Sequence, residues 1–254
     1  MTQLLRPIHA NRGVIASYKR QLVKLTKEMS DSYLYWITAA YNANPPLASD
    51  AMPYKEAKDK IDDLGRRWLK RFEVMAETIA QMQVTSMTKI TDTALKNAFK
   101  EAGWTVDFQI TKAMKDVMGA SITENVTLIK SIQQQYHTKI EAMVMRNFST
   151  GKDIYGLRKD IEDAFPIAER RAITIARDQM SKLNISVQNA RYKEAGIIEA
   201  KWLHSHGGKE PRQDHVAADG KKYNINEGCL ISGEYIHPGE KINCRCVSRA
   251  ILSF

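Results

Sequence analysis

Residues 14–36 read VIASYKRQLVKLTKEMSDSYLYW. Within this stretch Ile15, Tyr18, Leu22, Leu25, Met29, Tyr33 and Trp36 follow one another at steps of three and four. On a helix of 3.6 residues per turn that spacing gathers their side chains into one stripe and turns the polar residues between them outward. A stripe this long needs an apolar partner, so the stretch predicts a protein built from packed helices. The helix is expected to end before Asn44-Pro45-Pro46, because proline lacks an amide donor and restricts the residue before it.

The same spacing recurs from about Lys55 to Phe99, through Ile61, Leu64, Trp68, Phe72, Met75, Ile79 and Met82, and predicts a second long helix able to pack antiparallel on the first. The pattern breaks around Gly103. A shorter helix is expected near Val106 to Val117, and Ser121-Ile-Thr-Glu124 has the form of a capping box opening a helix that runs to about Phe148 and stops at Gly151. Asp153 to Phe165 fits another short helix, and Pro166 is placed to open a long one that closes at Gly196.

Beyond Gly196 the character changes. Ile197 to Leu203 reads as a strand, Gly207-Gly208 and Gly220 punctuate, and Cys246 to Leu252 reads as a last strand. The expected fold is therefore mainly α, long helices forming a bundle or arm, with a small C-terminal α+β module. The expected division is a helical arm over residues 1–100, a helical part over 101–196 and a β-containing module over 197–254.

At 254 residues with 43% hydrophobic content the chain can bury a real core. Its formal charge of +9 favours nucleic acid, an acidic partner or an anionic surface as neighbour. Part of the excess lies in the first 27 residues, which hold Arg6, Arg12, Lys19, Arg20, Lys24 and Lys27 and no acid. These six are the candidate phosphate contacts, weighed against the commoner fate of a solvated helix face. No stretch has the roughly 18 apolar residues of a spanning helix, the start lacks the apolar core of a signal peptide, and a cytosolic product is expected. Three cysteines, two of them separated by one residue, do not make a secreted disulfide scaffold.

Several ordered pieces of the C-terminal part resemble the phage Mu F-like minor head proteins, also called head morphogenesis proteins. They are Gly151 with Leu157, Ile161 and Phe165; Arg171-Ala-Ile-Thr-Ile-Ala-Arg177-Asp178; Tyr192-Lys-Glu-Ala-Gly196; Lys201-Trp202-Leu203; Arg212-Gln-Asp-His215 leading to Asp219-Gly220; and Pro238-Gly-Glu with Asn243-Cys244-Arg245-Cys246. The resemblance covers roughly residues 120–252, and Trp202, Asp219, Gly220, Asn243 and Arg245 carry its signature. It implies a low-copy protein of a tailed-phage head, found in the virion near the portal vertex and in the host cytoplasm during assembly. Its implied partners are the portal protein, the major capsid or scaffold protein and packaged double-stranded DNA, with no membrane and several copies around the portal. It implies binding, not catalysis, and no additional effector domain is expected.

Some members of that family carry two cysteines three apart before the aspartate-glycine turn, which with the closing Cys-x-Cys would suit tetrahedral zinc. Here the second position is His215, itself a legitimate ligand, and the first is Arg212, which is not. The candidate ligands are His215, Cys244, Cys246 and His237, with Cys229 as alternative and His204 and His206 behind them. A small β module has reason to use a metal staple. The competing reading makes the cysteines small buried hydrophobes.

Other features divide the same way. Asp214-His215, with Asn226 or Asn243 downstream, is similar to the first members of an HNH nuclease site, so the alternative function is a metal-dependent nuclease or toxin-like enzyme centred on His215 and the cysteines. Arg171, Arg177 and Asp178 read as ion pairs tying a helix to its neighbours, or as a portal or DNA contact. Trp36 and Trp68 fall on the apolar stripes and are expected in the core. The eleven methionines, among them Met75, Met82 and Met143, are expected to pack adaptably between helices or against a partner.

Overall fold

The structure, a computed structural model, describes residues 2–43, 54–150, 154–207 and 210–253. The expected stops at Asn44-Pro45-Pro46 and Gly151, the start at Asp153, and Gly208 lie outside the described residues. The elements in chain order are β1 (Thr2–Leu4), α1 (Arg12–Ala43), α2 (Tyr54–Glu101), α3 (Lys112–Thr150), α4 (Ile154–Glu194), β2 (Glu199–Leu203), α5 (Gln213–Ala217), β3 (Lys222–Asn224), β4 (Cys229–Ile231), β5 (Glu234–Ile236) and β6 (Val247–Ser253). The fold is mainly α with a small C-terminal α+β module.

By its contacts the chain forms two compact units. One comprises Ser17–Ala80 and Glu124–Ala176; the other comprises Met1–Ala16, Gln81–Thr123 and Arg177–Phe254. The stretches 1–100 and 101–196 each supply residues to both.

The first unit is an up-down-up-down bundle of four helical segments. Arg71 of α2 pairs with Glu28 of α1, and Lys60 of α2 lies over the Trp36 ring of α1 at 4.5 Å, which makes α1 and α2 antiparallel. Buried polar pairs then set α1 alongside α3. The Tyr18 hydroxyl donates to Asn125 Oδ1 at 2.6 Å, Tyr136 to Ser30 Oγ at 2.8 Å and Tyr41 to Asn147 Oδ1 at 2.9 Å, and Tyr33 Oη meets His137 Nδ1 at 2.9 Å. The residue numbers rise together on both helices, so α1 and α3 are parallel. Buried hydroxyls must find partners, and a one-turn slip would orphan all four pairs. Gly65 completes this layer: a Cβ there would stand 2.5 Å from His137 Cε1, and its carbonyl accepts the Gln133 Nε2–H at 3.1 Å.

Three sequence expectations change. The α3 helix is continuous from Lys112, residues 104–111 are not helical, and Ser121–Glu124 lies inside the helix. The N-cap is Thr111, whose Oγ1 accepts the Met114 N–H at 3.2 Å, while Thr123 within the helix returns its hydroxyl to the Gly119 carbonyl. Likewise Pro166 does not open a new helix but sits inside α4. An interior proline costs about 3 kcal/mol. Burial of Leu157 and Ile161 on the same stripe as Ala164, Ala168 and Ala172 offsets it, at about 1.5–3 kcal/mol for each large side chain. Finally, Trp68 is buried but Trp36 is 39% exposed beneath Lys60, and Met75 and Met82 face outward because the buried stripe of α2 passes instead through Ala76, Ala80 and Val84.

The second unit wraps a four-stranded sheet of order β1-β6-β2-β3 and a hairpin of β4 and β5. Strand β1 is antiparallel to β6, with Leu4 opposite Ile251; β6 is antiparallel to β2, with Trp202 opposite Ser248. The expected strands at Ile197–Leu203 and Cys246–Leu252 are present with bounds shifted by one or two residues. Helix α4 ends as expected: Gly196 takes φ +73 and the Ile197 N–H returns to the Tyr192 carbonyl. The core joins Leu5 and Ile8 to Leu95 and Phe99 of α2, Tyr192 of α4, and Ala200, Trp202, Ile225 and Leu252. Arg191, fully buried, forks onto Asp92 at 2.8 and 2.7 Å, reaches Glu194 and the Gln109 carbonyl at 2.7 Å each, and stacks on Phe108.

Candidate metal centre

The closing Asn243-Cys244-Arg245-Cys246 leads from a turn at Asn243 into β6, which begins at Val247, and its side chains alternate in burial. Cys244 and Cys246 therefore turn inward and are buried, while Arg245 between them is exposed. Asn243 makes the bend. It takes φ +61, a left-handed conformation that asparagine tolerates, and its N–H donates to Asp178 Oδ1 at 2.8 Å. Arg177 donates to Asn243 Oδ1 at 3.1 Å, and Lys182 pairs with Asp178 at 3.0 Å. Arg171 donates to Ser131 Oγ at 2.7 Å. Arg171, Arg177 and Asp178 thus tie α4 to its neighbours.

Helix α5 carries the third member. His215 is buried, with Nδ1 3.4 Å from Cys244 Sγ and 3.7 Å from Cys246 Sγ. Trp202 of β2 walls the group, its ring edge-on to His215 at 5.1 Å between centroids. The Asp219-Gly220 turn clips α5 onto that strand. Asp219 Oδ1 accepts the His204 N–H, the Gly220 N–H donates to the Trp202 carbonyl at 2.8 Å, and Gly220 holds φ +76. Of the signature residues, Trp202, Asp219, Gly220 and Asn243 shape the surroundings of the Cys-x-Cys loop, and Arg245 is exposed.

The electrostatics favour a thiolate. The Cys244 thiol is pulled below the ordinary thiol value, first by hydrogen bonding with the Cys246 side chain and, against the cost of burial, by the backbone amides of Cys246 and Gly239. The Cys246 thiol is pushed up by Cys244 and by burial, and relieved by the Ser205 backbone and the Trp202 side chain. The Trp202 indole nitrogen is buried without a hydrogen-bond partner, and the Trp202 side chain favours the charged form of Cys246.

These residues supply three of the four ligands of a tetrahedral zinc site, and among the described residues no fourth His, Cys, Asp or Glu joins them. With Zn–S of about 2.3 Å and Zn–N of about 2.0–2.1 Å, a tetrahedral angle separates sulfur and nitrogen by about 3.6 Å. The two observed separations, 3.4 and 3.7 Å, lie on either side of that value. His215, Cys244 and Cys246 would hold the ion, whose charge two thiolates would neutralise in a buried site.

Among the described residues the His/Cys/Asp/Glu group within ligating reach is His215, Cys244 and Cys246. His237, expected in the set, lies outside it: its ring meets Asn189 at 3.3 Å and Tyr223, and burial lowers its pKa. Cys229 also lies outside, opposite Ile236 in the β4–β5 hairpin, its thiol pushed up by burial. His204 Nδ1 accepts the His206 N–H, and His206 pairs with Asp219 at 3.4 Å. Arg212 donates to the Ile242 carbonyl at 3.0 Å. Nor does a nuclease-like pair form, because Asp214 accepts from the His215 backbone N–H and the Ser232 hydroxyl while the His215 ring faces sulfur. The amides of Ser205 and Gly239 left no trace in the sequence.

Residues 138–249 match the family described as Phage Mu protein F like protein. The match covers all three clustered residues and every signature residue. A protein of Haemophilus influenzae (strain ATCC 51907 / DSM 11121 / KW20 / Rd), described as uncharacterized, is 38% identical over 128 residues, which is 50% of this chain and 28% of that relative. No solved structure matches the chain.

The basic residues of the N-terminal stretch are placed separately. Arg6 pairs with Glu101 at 2.8 Å and Lys27 with Asp31. Arg12, Lys19, Arg20 and Lys24 lie exposed on α1 and form no ion pair among the described residues. No helix among them is long and apolar enough to cross a membrane.

Proposed function

We propose that this chain is a minor head protein of a tailed phage that works by binding: it docks on the portal vertex, inner shell or scaffold in several copies and contacts packaged double-stranded DNA during head assembly or DNA ejection. The observation that carries the reading is the Mu F-like match together with the convergence of its closing cysteines, His215 and Trp202 on one buried centre. In this reading the centre is a zinc staple. It holds the C-terminal sheet shut and performs no reaction, which agrees with its burial. The protein resides in the virion, inside the head.

The test is co-purification. The full chain, produced with the portal, capsid and scaffold proteins of its phage, is expected to retain one of them through a salt gradient, and mass spectrometry is expected to find it in virions. Its absence from both virions and assembly precursors would overturn the proposal.

A further inference from the structure

The sheet of the second unit carries a charge pattern that the N-terminal cations do not explain. In the register of β6, β2 and β3, Lys201 stands directly opposite Arg249 on one side and opposite Lys222 on the other. Residues opposite one another in adjacent antiparallel strands share a face. The opposite face of the same strands, at Ala200, Trp202, Tyr223, Ser248 and Ala250, is the buried core. The three cations therefore form a row across three neighbouring strands on the other face. Two strand spacings make the row about 10 Å long.

Like charges directly opposite in a sheet destabilise it, and among the described residues none of these three side chains forms an ion pair. Among the described residues neither lysine has an ion pair or hydrogen bond, and Arg249 gives only its Nε–H, to the Leu5 carbonyl at 3.1 Å. Glu199, two residues along β2 on the same face, pairs with none of them. Lys222 is exposed and Lys201 and Arg249 are half-buried, while Val247 and Ile251 on either side of Arg249 are buried. The row is open to solvent at Lys222 and partly covered at Lys201 and Arg249. Arg6 and Lys27, by contrast, are already paired with acids.

The geometry points to Arg249, Lys201 and Lys222 as a binding strip for the phosphate backbone of double-stranded DNA. An evenly spaced polyanion, with one charge per about 1.7 Å of duplex axis, can meet all three cations at once and remove their mutual repulsion. The chain's excess of +9 supplies long-range attraction to such a partner. Bases are not read, because a row of cations on a flat sheet face meets phosphates and carries no sequence information. This inference rests on the DNA-contacting part of the proposed function.

The test is binding of the full chain to a 30-base-pair duplex of arbitrary sequence, followed by fluorescence anisotropy at several salt concentrations. Each lost phosphate contact lowers the slope of log K against log salt by about 0.9. The double variant Lys201→Gln/Lys222→Gln is expected to lose about 1.8 from the slope, Lys201→Arg/Lys222→Arg to keep it, and Arg20→Gln/Lys24→Gln to change it less. A wild-type slope in the glutamine double variant overturns the strip. So does an absence of duplex binding at low salt, and co-purification with head proteins then still decides the broader reading by itself. Equal dependence on these lysines for anionic vesicles or a poly-glutamate peptide overturns the assignment to DNA.

Discussion

The bundle and the sheet unit solve the same problem by different means. The bundle buries long stripes of Tyr, Leu, Ile and Met and sets its register with local tyrosine pairs, each hydroxyl meeting one side chain on a facing helix. The sheet unit has strands of three to seven residues and gathers its polar and ligating groups into two dense knots, one at Arg191 and one at His215, Cys244 and Cys246. Distributed pairs make a structure that tolerates the loss of any one member. Dense knots make one in which a single substitution removes several partners together.

The largest separation between the two is expected at the metal centre. Zinc analysis of protein never exposed to chelators should find about one ion per chain, and Cys246→Ser should reduce it to near zero, since structural sites are normally filled. Hydrogen exchange should then rise around β6 and α5 while the bundle stays protected. Retention of the metal in the variant, or less than about a tenth of an equivalent in the wild type, would remove the staple.

Arg191→Met comes next. It leaves the half-buried carboxylates of Asp92 and Glu194 without their partner and should cost about 2–4 kcal/mol in denaturant unfolding. A cost below about 1 kcal/mol would mean that the knot is merely decorative.

In the bundle the effects should be smaller. Gly65→Ala gains roughly 1 kcal/mol of helix propensity but drives a methyl into the His137 ring, so a net loss of about 1–2 kcal/mol is expected by thermal melting. Stabilisation would show that His137 moves freely aside. Tyr136→Phe removes one pair, with Ser30, at about 1 kcal/mol. It also carries a pH signature. Burial pushes the Tyr136 hydroxyl up to about 12, whereas an unfolded tyrosine ionises near 10. A raised folded value means that the contribution is complete below about pH 10 and is lost as the pH rises through about 12. Alkaline titration of the phenylalanine variant should show a shallower loss in that window.

How much of this was readable depended on the range of the interaction. The stripe of α1 and most of α2 followed from spacing alone, and so did the stop at Gly196. Where the sequence misled, a tertiary term outweighed a local one: burial along α4 outweighed Pro166, and the cap at Thr111 left Ser121–Glu124 as helix interior. In the centre, Cys244, Cys246 and His215 were visible as residue types with ligand chemistry. His237 was an equally plausible type, and only its seat beside Asn189 and Tyr223 removed it.

By itself the sequence determined that the chain is mainly helical and cationic and carries motifs similar to Mu F-like proteins toward its end, because periodicity, charge and motif are local properties of the chain. The tertiary structure alone decided that Thr2–Leu4 pairs with the last strand, that three of the candidate ligands meet and two do not, and that Arg249, Lys201 and Lys222 align. Each of these joins residues distant in the chain, and strand register, on which the charge row depends, is set by what the opposite face must bury.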